Sequence, residues 1–156
     1  MPLINTRPFY PNTISMNKNG TIIIIEDDLE DQEILVEIFE KLNYPNKILY
    51  FSDGLSVLEY LETSNDKPFL IISDINLPKL SGIALKDKLH NNEQLRIRCI
   101  PYLFLTTSTS HRDVIDAYSK SIQGFFIKPL RFNELERIVQ NIITYWKDCT
   151  APNYIE

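Results

Sequence analysis

Cysteine is scarce in this sequence, and its scarcity excludes several kinds of protein. Cys99 and Cys149 are the only two cysteines among 156 residues. Two cysteines at this separation fit neither the disulfide framework of a small secreted domain nor the ligand spacing of a zinc site. We therefore expect two reduced, structural thiols and a cytoplasmic protein.

Long apolar runs and an excess of positive charge are also lacking. No apolar run approaches the roughly 18–20 residues that a membrane-spanning helix requires, and the first residues lack the apolar segment of a signal peptide. The formal net charge is −5, whereas non-specific binding to nucleic acids or anionic membranes requires a basic surface. We therefore expect neither a nucleic acid nor a membrane as a partner.

The remaining composition is that of an ordinary globular protein, with 44% hydrophobic and 24% charged residues. This length suits one domain with a sizeable core. Residues 1–19 hold three prolines and no apolar periodicity, which predicts a flexible arm. We assign residues 20–148 to a single domain and residues 149–156 to a C-terminal tail.

Short aliphatic runs alternate with segments of helical period from Thr21 onward. Each run has the length of a buried parallel strand. The five predicted strands are Ile22–Ile25, Ile48–Phe51, Leu70–Ile72, Tyr102–Leu105 and Phe125–Ile127. Asp28 is the predicted N-cap of the first helix. Asn133 and Glu136 form a predicted capping box for the last helix.

Five successive strand–helix units predict an α/β fold, in which helices cover both faces of one doubly wound, five-stranded parallel sheet. Right-handed crossovers limit the topology to a few choices. Among these, the flavodoxin-like order 2-1-3-4-5 is the leading prediction.

Polar residues follow the predicted strands at the edge where such sheets bind ligands. The first strand is followed by Glu26 and Asp27, and the third by Asp74 and Asn76; Thr106 follows the fourth and Lys128 the fifth. In the predicted order, strands 1, 3, 4 and 5 are neighbours. Their ends therefore converge on one edge.

Three carboxylates meet in this predicted cluster, those of Glu26, Asp27 and Asp74. Two unit charges about 4 Å apart repel by roughly 4 kcal/mol at an effective dielectric constant near 20. A fold tolerates such repulsion only if a cation binds there or if one carboxylate stays protonated. Oxygen ligands without histidine or cysteine suit Mg²⁺. Together with Thr106 and Lys128, these groups could neutralise and hold a phosphoryl group.

Four sequence blocks place these residues in a recognisable pattern. The blocks are IIIIEDD (22–28), IISDINLPKLSG (71–82), PYLFLTTS (101–108) and GFFIKPL (124–130). In this order they resemble the signature blocks of response-regulator receiver domains, the CheY-like family of bacterial two-component systems. The resemblance covers residues 20–146. The successive spacings of 47, 32 and 22 residues between Asp27, Asp74, Thr106 and Lys128 make it specific.

The resemblance implies a role for each matched residue. Asp74 would be the phosphoacceptor, and Thr106 a switch hydroxyl that moves toward the phosphoryl group. Lys128 would pair with a phosphoryl oxygen. Phe125 would be the switch aromatic, and the Lys128–Pro129 bond would be cis.

The resemblance also implies a Mg²⁺ site at the same edge. Asp27 and Asp74 would bind the metal directly, Glu26 would act mainly through a bound water, and Asn76 would offer its backbone carbonyl. The protein would catalyse only its own phosphorylation and dephosphorylation, and it is not otherwise expected to be an enzyme. Its phosphodonor would be a sensor histidine kinase or a phosphotransfer protein.

Two further expectations concern partners. The connection before the fourth strand (89–108) and the segment IITYW (142–146) resemble single-domain regulators found beside phytochrome-type kinases. Without a DNA-binding domain, a changed protein-binding face must provide the output. A short apolar stripe of Val114, Ile115 and Tyr118 predicts the fourth helix, and a long stripe from Leu135 to Trp146 predicts the fifth. The length of the second stripe predicts a homodimer through the side formed by these two helices.

Three alternatives fit the sequence less well. A haloacid-dehalogenase-type phosphatase places its nucleophile after the first strand, whereas Asp74 follows the third. A flavodoxin needs a loop rich in Ser, Thr and Gly after the first strand, where this chain is acidic. A degenerate receiver that acts as an interaction module independent of phosphorylation is disfavoured because Asp74, Thr106 and Lys128 are present.

Overall fold

The computed structural model of the chain describes residues 18–152. Most of the predicted arm and the last four residues of the predicted tail lie outside this range, so the domain boundaries stay a prediction. Within residues 18–152, no helix is both long enough and apolar enough to cross a membrane.

Five parallel strands form one sheet in the order β2-β1-β3-β4-β5, which confirms the predicted topology. The strands are β1 Ile22–Ile25, β2 Ile48–Phe51, β3 Leu70–Ser73, β4 Tyr102–Thr106 and β5 Gly124–Ile127. Three of them are one residue longer than predicted, because Ser73, Thr106 and Gly124 join the ladder.

Within residues 18–152, six helices connect and cover the strands, one more than the sequence pattern predicts. They are α1 Leu29–Leu42, α2 Gly54–Thr63, α3 Gly82–Asn91, α4 Glu93–Arg98, α5 His111–Ser119 and α6 Phe132–Asp148. The additional helix α4 occupies the connection before β4. The predicted fourth and fifth helices are therefore α5 and α6.

The four consecutive isoleucines of β1 are buried on both faces of the sheet. Ile22 and Ile24 belong to the core under α1 and α6, whereas Ile23 and Ile25 belong to the core under α2, α3 and α5. Each is at most 1% exposed. Burial of one such side chain contributes about 1.5–3 kcal/mol, so β1 can hold acidic residues at its end despite their mutual repulsion.

The two edge strands are less buried than predicted. All residues of β2 are half-buried, and β5 ends in Ile127, which is 53% exposed. An edge strand has a neighbour on one side only, so part of its surface remains open to solvent.

The helix starts confirm one predicted cap and correct another. Asp28 caps α1, where its carboxylate accepts a hydrogen bond from the Asp31 N–H. The capping box predicted at Asn133 is wrong, because α6 already begins at Phe132 after Arg131, which makes no side-chain cap hydrogen bond. Asn133 is thus inside the first turn, where it cannot act as the N-cap.

Candidate functional site

Asp74 follows β3 at the edge of the sheet where the strand order reverses between β1 and β3. Its backbone N–H donates a hydrogen bond of 2.9 Å to the Ile25 carbonyl at the end of β1. The following loop is closed by the Gly82 N–H, which donates to the Ile75 carbonyl at 2.8 Å. The loop therefore holds Asp74 at the carboxyl-terminal edge of the sheet, beside the end of β1.

The sheet brings the three predicted carboxylates together. Glu26, Asp27 and Asp74 each present an oxygen, and these oxygens all lie within 4.8 Å of one another. Glu26 and Asp74 are buried, at 3% and 7% exposure, whereas Asp27 is exposed. The cluster thus has two buried members and one that is open to solvent.

The two oxygens of Asp74 have different surroundings. Oδ1 accepts hydrogen bonds of 2.6 Å from both the Ile75 N–H and the Thr106 hydroxyl. Oδ2 lies 3.7 Å from the Lys128 ammonium, beyond hydrogen-bond distance. Asp74 Oδ1 is therefore fixed, and Oδ2 is the oxygen available for chemistry.

Lys128 is buried among carboxylates. Its Nζ lies 2.5 Å from Glu26 Oε2 and 2.8 Å from Asp31 Oδ2. Burial lowers the Lys128 pKa, but hydrogen bonds to Asp31 and Glu26, together with the charges of Glu26 and Asp74, outweigh burial and raise it above its ordinary value. The ammonium therefore keeps its charge at neutral pH.

Glu26 and Asp27 differ in how much of each carboxylate is free. Glu26 accepts from the Asp28 N–H at 3.0 Å through Oε1 and from Lys128 through Oε2. Burial raises the Glu26 pKa, and the neighbouring Lys128 opposes this rise. Asp27 has no hydrogen bond or ion pair to any residue in the range 18–152. Both Asp27 oxygens are therefore free for a cation.

This donor set fits Mg²⁺. The clustered ligand atoms are carboxylate oxygens, and Mg²⁺ is typically held by one or two carboxylates together with waters. Asn76 is exposed beside the cluster, and its N–H lies 3.4 Å from Asp74 Oδ1. Asp27 and Asp74 would hold the ion, and the Asn76 carbonyl could complete the site.

The two predicted switch residues lie on neighbouring strands. Thr106 is fully buried, and its hydroxyl already contacts Asp74. Phe125 is half-buried on β5, and its ring centroid lies 6.1 Å from that of Phe104. Phe125 therefore packs against β4, the strand that also carries Thr106.

The prediction of a cis bond before Pro129 is wrong. Within residues 18–152 the cis peptide bond is Ile100–Pro101. With a trans bond before Pro129, the Lys128 N–H still donates to the Thr106 carbonyl at 2.7 Å, and its ammonium still reaches Glu26.

Asp31 is the site residue that the sequence pattern did not identify. It lies in the first turn of α1 and pairs with Lys128 through the cluster's open side. One sequence feature could have identified Asp31, namely its position three residues after the cap Asp28. The first turn of α1 starts directly behind β1, so an acidic residue in that turn lies beside the carboxylates at the end of the strand.

The sequence comparison identifies the family. The profile described as the response regulator receiver domain matches residues 22–140. A probable methanogenesis regulatory protein, FilR2 of Methanothrix harundinacea, is 34% identical over 129 residues, which cover 80% of this chain and 82% of the relative.

Two solved structures resemble both the fold and the sequence. The phosphorylated cyanobacterial phytochrome response regulator RcpA has a TM-score of 0.78 and 25% identity, covering 86% of this chain and 99% of RcpA. The Mn²⁺-bound form of response regulator Rcp1, a Synechocystis protein, has a TM-score of 0.76 and 27% identity, covering 85% and 99%. Together with the convergence of carboxylates, hydroxyl and ammonium at one sheet edge, these matches establish that the chain belongs to the response regulator receiver domain family.

Proposed function

We propose that this protein is a phosphorylation-dependent response regulator, in which Asp74 accepts a phosphoryl group in a Mg²⁺-dependent reaction. The observation that carries the proposal is the setting of the Asp74 carboxylate. Oδ1 is held by the Thr106 hydroxyl, and Oδ2 lies 3.7 Å from the Lys128 ammonium. The free carboxylate of Asp27 presents an oxygen within 4.8 Å of the Asp74 carboxylate.

The reaction is a transfer from a phosphohistidine of a sensor kinase or phosphotransfer protein. Asp74 Oδ2 forms a bond to phosphorus, the bond between phosphorus and the imidazole nitrogen breaks, and that nitrogen takes up a proton. Bound Mg²⁺ supplies neutralisation of phosphoryl charge. The Thr106 hydroxyl and the Lys128 ammonium would donate to the phosphoryl oxygens, since they lie 2.6 Å from Asp74 Oδ1 and 3.7 Å from Asp74 Oδ2.

The resemblance to RcpA favours a phytochrome-type histidine kinase as the donor, because RcpA is a phytochrome response regulator. Output then follows from a changed face, since a phosphoryl group at Asp74 would change the hydrogen bond that the Thr106 hydroxyl now donates to Oδ1, and Phe125 would adjust with it. The alternative is a degenerate receiver that binds its partner without phosphorylation.

Intact mass spectrometry distinguishes these two functions. Incubation of the protein with acetyl phosphate and Mg²⁺ is expected to add one phosphoryl group, and a chelator should prevent the addition. A protein that stays unlabelled with acetyl phosphate and with phosphoramidate would favour the phosphorylation-independent module.

The metal ligands can be ranked by substitution. Asp27→Asn removes a carboxylate with two free oxygens, so we expect it to weaken Mg²⁺ binding by about tenfold or more. Glu26→Gln should weaken it less, because both Glu26 oxygens are already engaged by Asp28 and Lys128. Calorimetric titration with Mg²⁺ measures both affinities.

Glu30→Gln is the matched control for these two variants, because Glu30 is an exposed acid in the first turn of α1. It should bind Mg²⁺ as the wild type does. An Asp27→Asn variant with wild-type affinity would contradict the assignment of Asp27 as a direct ligand.

We further propose a homodimer through α5, β5 and α6. Four large apolar side chains are more than half exposed on these elements: Ile115, Tyr118, Ile127 and Tyr145. Beside them, a groove of about 300 Å³ between β5 and α6 is lined partly by Phe126, Ile142 and Trp146.

The same surface carries both charge signs on α5, since Arg112 and Asp116 form an exposed pair. A patch with both signs suits a two-fold interface, in which each patch meets its own copy.

Light scattering with and without beryllofluoride, a phosphoryl mimic, tests the dimer. Ile115→Lys is expected to weaken dimerisation by about tenfold or more, because it places a charge in an apolar contact. Leu55→Lys is the control, since Leu55 is 51% exposed on α2. A wild-type protein that is monomeric in both states at high micromolar concentration would exclude the dimer.

A further inference from the structure

Asp31 gives Lys128 a second anionic partner outside the predicted cluster. Asp31 Oδ2 lies 2.8 Å from Lys128 Nζ, and the Asp31 side chain is 34% exposed whereas that of Lys128 is 6% exposed. Asp31 belongs to α1, and Lys128 follows β5. The pair thus joins two elements across the open side of the site.

Helix stability alone does not account for this contact. Acidic residues in a first turn generally interact favourably with the helix dipole, and Glu30 supplies the same charge one residue earlier. The cap itself is formed by Asp28. Among residues 18–152, Glu30 has no ion pair, whereas the Asp31 carboxylate turns to the ammonium. The Asp31 carboxylate therefore acts on Lys128 and not only on the stability of α1.

The Lys128 ammonium is divided among three carboxylates. An ammonium has three N–H donors, and two of them are taken by Glu26 at 2.5 Å and Asp31 at 2.8 Å. Asp74 Oδ2 is the most distant of the three, at 3.7 Å. A phosphoryl group on that oxygen would add further negative charge that competes for the same ammonium.

We propose that Asp31 is a positioning residue, which holds Lys128 at the mouth of the site and withholds part of its charge from the phosphoryl group, so that it slows phosphorylation of Asp74. This inference rests on the proposed function. In the reaction with acetyl phosphate, Asp74 Oδ2 bonds to phosphorus and acetate leaves with the electrons of the broken P–O bond. Lys128 donates a hydrogen bond to a phosphoryl oxygen, and Asp31 competes for that donor.

The size of the effect follows from the exposure of Asp31. Ion pairs with an exposed partner are weak because water and salt screen them. We therefore expect Asp31→Asn, which removes the charge and preserves the shape, to raise the maximal rate of phosphorylation by about three- to tenfold.

The experiment measures phosphorylation rates by intact mass at saturating Mg²⁺ and varied acetyl phosphate, for four proteins. Asp31→Asn should raise the maximal rate more than it changes the half-saturating donor concentration. Asp31→Glu keeps the charge and should stay within about twofold of the wild type. Glu30→Gln removes one charge from the same turn and reports any general effect on the approach of an anionic donor. It should match the wild type in maximal rate.

Each other outcome has a definite meaning. A wild type that accepts phosphate, with Asp31→Asn no faster, would overturn the role of Asp31 and leave the proposed function intact. Equal acceleration by Glu30→Gln would assign the effect to something other than the Lys128 pair. A wild type that no donor labels would overturn the proposed function.

Discussion

Replacing Asp74 with asparagine is expected to abolish phosphorylation and leave the fold intact. The amide lacks the anionic oxygen that must form the bond to phosphorus, so labelling should fall by more than about a hundredfold. An asparagine Oδ1 can still accept the hydrogen bonds that the Ile75 N–H and the Thr106 hydroxyl now donate to Asp74. Intact mass after acetyl phosphate treatment measures labelling, and thermal unfolding measures stability.

Asp87→Asn provides the matched control for this experiment. Asp87 lies on α3, where its carboxylate pairs with Lys120 at the surface. The Asp87→Asn variant should accept one phosphoryl group at the wild-type rate. Undiminished labelling of Asp74→Asn would refute Asp74 as the acceptor, even if the protein proves to be phosphorylated elsewhere.

The convergence of the site could be predicted from sequence because each part of it lies at the end of a strand. Parallel strands that are buried on both faces appear as short aliphatic runs, and β1, β3 and β4 are such runs. Once the strand order is known, the residues after each run must meet at one edge. Strand ends and strand order together determine most of the placement of four site residues, which are Glu26, Asp27, Asp74 and Lys128.

Contacts that depend on helix phase could not be predicted in this way. Asp31 reaches Lys128 because α1 starts at Leu29 directly behind β1, and a shift of one residue would turn its side chain by about 100°. The sequence pattern also does not determine whether the peptide bond before a proline is cis or trans. The two isomers differ by only about 0.5–1 kcal/mol, so tertiary contacts decide between them.

Lys86 illustrates a third limit, because it is a charged residue at a core position. It is 1% exposed on α3, where it shares the buried face of the helix with Leu85 and Leu89. Burial lowers its pKa, and its ammonium lies 5.7 Å from the centroid of the Tyr102 ring. Lysine is rarely buried without an anionic partner, so binary patterning assigns it to the surface.

Gly82 is expected to be the glycine on which the position of Asp74 depends most. A Cβ atom added to Gly82 would lie 2.1 Å from the Asp74 carbonyl oxygen and 2.8 Å from Phe104 Cε1. Backbone cannot yield as a flexible side chain does, so the substitution Gly82→Ala must displace either α3 or the loop that begins at Asp74. The Tyr102 hydroxyl, which donates to the Gly82 carbonyl at 3.3 Å, ties the same point to β4.

We therefore expect Gly82→Ala to lower the free energy of unfolding by about 3 kcal/mol, at the upper end of the overpacking range, and to slow phosphorylation of whatever protein remains folded. Gly124→Ala is the matched control, because the atoms nearest to its Cβ would be side-chain atoms, Leu103 Cδ2 at 2.9 Å and Phe126 Cε2 at 3.0 Å. These atoms can rotate away, so its cost should be about 1 kcal/mol or less. Urea unfolding gives both free energies. Equal losses in the two variants would mean that the loop between Asp74 and Gly82 can relax, and Gly82 would then not be the residue that supports Asp74.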